Sequence, residues 1–284
     1  MRPSFSSIRD RLRFVGRERP DYDLRSFPDF LIIGPQRTGS TWLHENLIMH
    51  PQVFMPQRKE LYYFSVLQYP EAHPAHLAAA QRDLDWYLDH FRLSVEQFAE
   101  LDTWSRRRFD VPYAPRVSGE GTASYAATLS PEMIEEIVTL NPSIRVLTFV
   151  RDPIERTWSH AKKDLLRETG RELEEVPEAE WFDFFGSWYA HRCGHSEEYL
   201  PAWRAAVPAD QLLVAKFRDI ARRPVELLAE IARFLGIDDD PRFMLKPGQP
   251  VNTTEVLEIP ANLRARLEEL FGVEVLRLRE LDMI

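Results

Sequence analysis

Apolar residues run along this chain in two rhythms: short near-continuous runs, and stripes at three- and four-residue spacing. Phe30–Ile33, Ile144–Val150 and Leu212–Phe217 are runs of strand length, of the kind a parallel sheet buries on both faces. Arg116–Tyr125 reads as a further short strand passing into a loop. Helical stripes follow: Trp42, Leu43, Leu47 and Ile48 before Pro51; Ile134, Ile137 and Val138 within Pro131–Leu140; and Pro224–Leu235, stopped by Gly236. Helices are also predicted over Leu77–Glu100 with a cap near Ser94, from Pro153 to about Arg167, over Trp181–Arg204 with a break near Gly194, and over Ala261–Leu281. Met55–Ser65 is a loop leading into aromatic residues, and Tyr69–His76 and Asp238–Pro260 are irregular. Thr169–Glu180, acidic and holding Pro177, reads as an exposed mobile loop, and Arg106–Arg108 as a solvated charge run. Strands alternating with helices imply a single three-layer α/β domain with a central parallel sheet, over residues 28–284.

The stretch Pro28–Pro51 organises the rest: a buried strand, the loop Gly34-Pro-Gln-Arg-Thr-Gly-Ser-Thr41, and an amphipathic helix. Open amides at a helix N-terminus, with hydroxyls and Arg37 beside them, make an anion site. Gly34 and Gly39 stand at the Walker A interval, but Ser40 occupies the place of the lysine that a nucleotide kinase requires. A second polar cluster ends the middle strand, in SIRVLTFVRDPIERTWSHAKKD. Arg151 leaves the carboxyl edge of the sheet, where open α/β folds bind ligands, and Ser159 follows within two helical turns. Asp152, read alone, is either a magnesium carboxylate of an ATP-using P-loop enzyme or the partner of Arg151.

The loop resembles the 5′-phosphosulfate loop of sulfotransferases that use 3′-phosphoadenosine 5′-phosphosulfate (PAPS), and FLIIGPQRTGSTWL is most similar to heparan sulfate N-sulfotransferase domains. Arg37 replaces their usual Lys. RDPIERTWS is similar to the family's 3′-phosphate segment, R-x-P-x-x-R-x-x-S, and GEGTASY to its E-K-T-P-A-Y segment, with Gly121 in place of a substrate-side Lys. The resemblance implies a P-loop-like fold and a PAPS-dependent sulfotransferase. Arg37, Thr38, Gly39, Ser40 and Thr41 would hold the phosphosulfate, and Arg151 and Ser159 the 3′-phosphate. Glu60 matches the proposed base of an E-V-H-F-F segment; His44 is the competing base. Trp42 matches a Trp that stacks on adenine, with a core role as the alternative. The late segment containing Lys246, Asn252, Thr253 and Thr254 stands where the family has a nucleotide loop. A catalytically silent nucleotide- or glycan-binding module of the same fold is the rival from another class.

Composition narrows this further. A net charge of −9 argues against a nucleic-acid partner; a carbohydrate or small-molecule acceptor is what the resemblance implies. One cysteine, Cys193, permits no internal disulfide and suits a reducing, cytoplasmic setting. The 5 Lys against 31 Arg suggest a bacterial source. Residues 1–27 form a basic segment without the apolar core of a signal peptide, and no run reaches the roughly 20 residues of a transmembrane helix. His191-x-Cys193-x-His195 lacks a fourth ligand, so no metal is assigned. The sequence sets neither the acceptor nor the oligomeric state.

Overall fold

Five parallel strands form one sheet in the order β2-β3-β1-β4-β5. They are β1 (Phe30–Gly34), β2 (Val53–Phe54), β3 (Val117–Gly121), β4 (Arg145–Val150) and β5 (Leu212–Lys216). The computed structural model describes residues 24–68, 84–249, 251 and 257–284.

The centre falls to β1, every residue of which is buried. Successive side chains of a strand point to opposite faces, so a strand covered on both sides needs an unbroken apolar run. Leu31 and Ile33 enter a cluster with Phe64, Tyr87, Tyr125 and Trp203. Phe30 and Ile32 enter another with Trp42, Phe149, Ile231 and Leu235. Each such fully buried side chain contributes ~1.5–3 kcal/mol of transfer free energy. Phe30 also explains Gly119, its partner on β3: a Cβ there would stand 2.4 Å from the Phe30 ring. A third cluster around Trp158, Trp181 and Phe271 joins helix Pro153–Ala161 to helices Glu178–Gly186 and Ala261–Glu280.

Four sequence expectations change. The two-residue β2 carries too little pattern to be read, yet it closes one edge of the sheet. The single helix expected over Leu77–Glu100 is interrupted: helix Leu84–Asp89 ends, and Ser94 starts helix Val95–Phe109. Ser94 and Gln97 cap that start reciprocally, each side chain bonding the other's backbone amide. The expected part before residue 84 lies outside the described residues. Helix Pro153–Ala161 widens into a π-helical turn over Lys162–Arg167. The acidic loop Thr169–Glu180 is anchored, because Val176 is buried in the third cluster and a helix begins at Glu178. The break at Gly194 stands as read: a Cβ there would meet the Phe271 ring at 2.3 Å. Phe27, at the end of the basic segment, is buried against Phe64 and Tyr87.

With all strands parallel, their carboxyl ends share one rim. The β1 loop, Thr122–Ala123 after β3, Arg151 after β4 and Phe217 after β5 meet there. The chain runs to β2 and β3 on one side of β1 and to β4 and β5 on the other, so the rim has its topological switch point beside β1.

Candidate active site

The loop after β1 is shaped by backbone positions that most residues avoid. Gly34 has φ 89°, and a Cβ on it would stand 2.1 Å from the Ala123 carbonyl oxygen. Gly39 has φ 101°, and a Cβ there would reach the Ile220 Cδ1 at 2.3 Å. Arg37 lies in the same left-handed region at φ 66° without being glycine, a strained conformation that surrounding contacts must hold. One is internal to the loop: the buried Thr38 hydroxyl donates to the Pro35 carbonyl at 2.6 Å. The first helical bond runs from Leu43 N to Gly39 O, so the amides of Ser40, Thr41 and Trp42 have no intrahelical acceptor. Arg37, Gly39, Ser40, Thr41 and Trp42 border a cavity of about 550 Å³.

Two cations meet on this cavity. Arg37 Nε donates to Ser159 Oγ at 3.0 Å, and Arg151 Nη1 donates to the Arg37 carbonyl at 2.7 Å. The Arg151 guanidinium also lies over the Phe217 ring, 4.4 Å from its centroid. Burial, and then the neighbouring Arg37, bring the Arg151 pKa down to about 10. Burial and then Arg167 lower that of Arg37. Two guanidiniums on one cavity, both lowered in pKa by burial, suit an anionic ligand. Asp152 caps helix Pro153–Ala161 through Oδ1, which accepts from Ile154 N at 2.9 Å and Glu155 N at 3.1 Å.

Glu60 lies on the same cavity. One carboxylate oxygen accepts from Lys59 Nζ at 3.1 Å; the other is buried and has no hydrogen-bond partner. Side chains of β3 and the turn that follows it fix the segment that carries it. Leu61 N and Tyr62 N donate to Thr122 Oγ1 at 3.2 and 3.4 Å, and Phe64 N to the Tyr125 hydroxyl at 3.4 Å. Thr122 and Tyr125 in turn donate to Glu120, at 2.8 and 3.0 Å, and Tyr87 adds a third hydroxyl at 2.7 Å. Glu120 is fully buried, and that burial raises its pKa against the lowering effect of the hydroxyls. Tyr62, at φ 57°, is the second non-glycine residue of the site in the left-handed region.

The structure gathers Arg37, Gly39, Ser40, Thr41, Trp42, Glu60, Arg151 and Ser159 around one cavity. His44 does not line it: the ring is buried, and burial followed by Lys59 lowers its pKa to about 4. Trp42 combines both readings, packing edge-on against Phe149 in the core while bordering the cavity. Its indole N–H donates to the Pro247 carbonyl at 3.0 Å. Asn46 accepts from Lys246 N at 3.2 Å and donates to the Lys246 carbonyl at 3.4 Å, docking the late segment onto the loop's helix. In that register Pro247, Gly248, Gln249 and Val251 line the cavity, while the Lys246 ammonium turns away to Glu45 at 3.1 Å. Asn252, Thr253 and Thr254 lie outside the described residues. Cys193 is buried, and His191 and His195 stack face to face with Glu198 within ligand reach. Sequence reasoning missed Lys59 and Glu120; the only signal was their place beside residues it did choose.

A profile of the sulfotransferase family matches residues 28–241. Among curated proteins the chain is 26% identical over 227 residues to the mouse bifunctional heparan sulfate N-deacetylase/N-sulfotransferase 4, covering 74% of this chain and 22% of that one. It is 24% identical over 159 residues to the membrane-associated sulfotransferase kil1 of Dictyostelium discoideum, covering 54% and 28%. The chain thus spans about a fifth to a quarter of the length of these relatives. A solved sulfotransferase from Alicyclobacillus acidocaldarius superposes with TM-score 0.66 at 23% identity, over 89% of this chain and 95% of that one. The sulfotransferase domain of the curacin biosynthetic pathway gives 0.51 at 17%, over 90% and 98%. These likenesses establish the P-loop-like sulfotransferase fold.

Proposed function

The chain belongs to the sulfotransferase family, and we propose that it moves the sulfuryl group of PAPS to a hydroxyl or amine of a carbohydrate or small natural product. Adenosine 3′,5′-bisphosphate is the second product. The observation that carries this reading is the pairing of Arg37 and Arg151 on one side of a cavity whose wall also holds Glu60, with one oxygen unpartnered. PAPS supplies an activated sulfonate and a separate 3′-phosphate, and the residues present suit both ends. The amides that open helix Ser40–Leu47, with the Ser40 and Thr41 hydroxyls, take the 5′-phosphosulfate. Arg37 stabilises the charge that develops on the bridging oxygen. Arg151 and Ser159 take the 3′-phosphate. Trp42 and the backbone of Pro247–Gln249 lie on the adenine side, a part that the Lys246 side chain does not play. Glu60 accepts the proton of the attacking hydroxyl or amine on its carboxylate.

An ATP–magnesium phosphotransferase fits less well, since Asp152 caps a helix through Oδ1. We propose transfer without a metal, with residues 28–284 acting as one catalytic domain. A bacterial cytoplasmic enzyme is consistent with the Arg excess and the single buried cysteine; no helix of the described residues is long and apolar enough to cross a membrane. Thermal shift with adenosine 3′,5′-bisphosphate against ATP–magnesium, followed by sulfate transfer to an acceptor panel in excess EDTA, tests the reading. Stabilisation by ATP–magnesium alone, or transfer abolished by EDTA, would overturn it. Arg151→Ala should erode the preference for PAPS over its analogue lacking the 3′-phosphate, by the ~1.5–3 kcal/mol of one charge-assisted hydrogen bond.

A further inference from the structure

Lys59 is one of five lysines in the chain and has no role in the reading above. Its ammonium bridges the two halves of the transfer centre: 3.2 Å from Thr41 Oγ1 on the phosphosulfate loop, and 3.1 Å from Glu60 Oε1. The side chain is only 16% exposed. Room for it comes from β3. Gly121 has no side chain, and a Cβ placed there would lie 3.5 Å from Lys59 Cε, in ordinary contact with the lysine stem.

We propose that Lys59 is a catalytic residue of the transfer, a second cation that contacts the sulfonate as it passes from donor to acceptor. This rests on the sulfotransferase reading above. The ammonium lies between the donor's loop and the base, the interval that an in-line transfer must cross. In the step, the acceptor's oxygen or nitrogen forms a bond to sulfur while the bond from sulfur to the bridging oxygen breaks. The electron pair of that bond stays on the nucleotide's phosphate, and the acceptor's proton goes to Glu60. Lys59 keeps its proton throughout. Its three N–H donors are enough to hold Glu60 and a sulfonate oxygen together, so the charge spreading over the sulfonate oxygens meets a fixed cation in a half-buried site. The same contact holds the Glu60 carboxylate in place.

The test compares the wild-type protein with Lys59→Ala, Lys59→Arg and the double variant Lys59→Ala/Gly121→Lys. Kd for adenosine 3′,5′-bisphosphate is read by calorimetry and kcat by sulfate release. Because that product lacks the sulfonate, Lys59→Ala should keep its Kd within about threefold while kcat falls ~10²-fold, the loss typical of one oxyanion-type donor. Lys59→Arg should retain a measurable part of kcat. The double variant brings an ammonium to the same space from β3 and should recover about tenfold or more over the single variant. Unchanged kcat in Lys59→Ala, or a Kd that weakens in step with a retained kcat, would overturn the proposal and leave Lys59 as a ground-state contact. A double variant as slow as the single one, with product binding intact, would overturn the charge role in favour of simple tethering. A wild-type protein that binds no adenosine 3′,5′-bisphosphate would instead sink the sulfotransferase reading itself.

Discussion

Glu60 and Glu120 are two glutamates joined through a few hydrogen bonds, and they are treated in opposite ways. Glu120, inside β3, accepts from three hydroxyls, which use both of its oxygens. Glu60, on the cavity, has one oxygen held by Lys59, and the other buried with no hydrogen-bond partner, beside the Tyr62 side chain. A buried acceptor without a donor costs about 1–3 kcal/mol, so the fold tolerates at Glu60 what it avoids at Glu120. On the proposed reading, the difference separates a carboxylate that builds from one that reacts. Glu120 secures Leu61, Tyr62 and Phe64 through Thr122 and Tyr125, and that frame aims Glu60.

The contrast is broken most directly at Glu60. Glu60→Gln keeps the shape and removes the base, so turnover should fall by ~10²–10⁴-fold while binding of adenosine 3′,5′-bisphosphate and the unfolding midpoint stay near wild type. If that variant turns over normally and His44→Ala does not, the two glutamates differ in surroundings but not in chemistry. Glu120→Ala should do the reverse. It strands the Tyr87 and Tyr125 hydroxyls beside a cavity, and denaturant unfolding should show a loss of ~2–4 kcal/mol. Thr122→Val cuts the bridge between the two sites. It should destabilise by ~1–3 kcal/mol through the unpaired Leu61 and Tyr62 amides, and slow turnover about tenfold as Glu60 loses its aim.

The smallest effect is a pH slope. Burial raises the Glu120 pKa, so the folded protein holds this proton more tightly than the unfolded chain does. That contribution to stability is complete below the unfolded value of roughly 4.3 and is lost as pH rises through the higher folded value. The stability of the wild type relative to Glu120→Gln should therefore decline as unfolding is measured at successively higher pH, from about 4.5 to about 7. A difference that is flat across this range would show that the hydroxyl ring fully offsets burial.

Legibility in the sequence followed how local each cause is. The strands β1 and β4 were readable because burial on both faces leaves a continuous apolar run; β5, an edge strand half-buried throughout, kept an apolar run without that double burial. Arg37 and Arg151 were readable because each stands next to a strand end. The two-residue β2 was not, since Val53–Phe54 has no period to detect. The break before Ser94 was half readable: the cap is visible as a residue type, but whether it interrupts a helix or lies on its surface is decided by packing. Lys59 and Glu120 depend on partners from other elements, at Thr41 for one and at Tyr87 and Tyr125 for the other. No spacing along the chain encodes those meetings. The late segment borders the cavity through Pro247, Gly248 and Gln249, while the direction of Lys246 is set by Glu45, about 200 positions away.

The bond from Arg151 to the Arg37 carbonyl closes 114 residues of chain, and that from Arg37 to Ser159 closes 122. Neither can form until β1 and β4 lie side by side, and a parallel pair has no short hairpin to bring it together. Long closures of this kind are slow steps in folding, because chain entropy must be given up before the contact returns anything. A ribosome-bound chain that ends before Arg151 therefore has the loop without its clamp. Nucleotide in the cell offers such a chain little help in reaching its fold. If the protein takes the proposed nucleotide only once the clamp is made, that nucleotide holds the population in the finished fold by mass action.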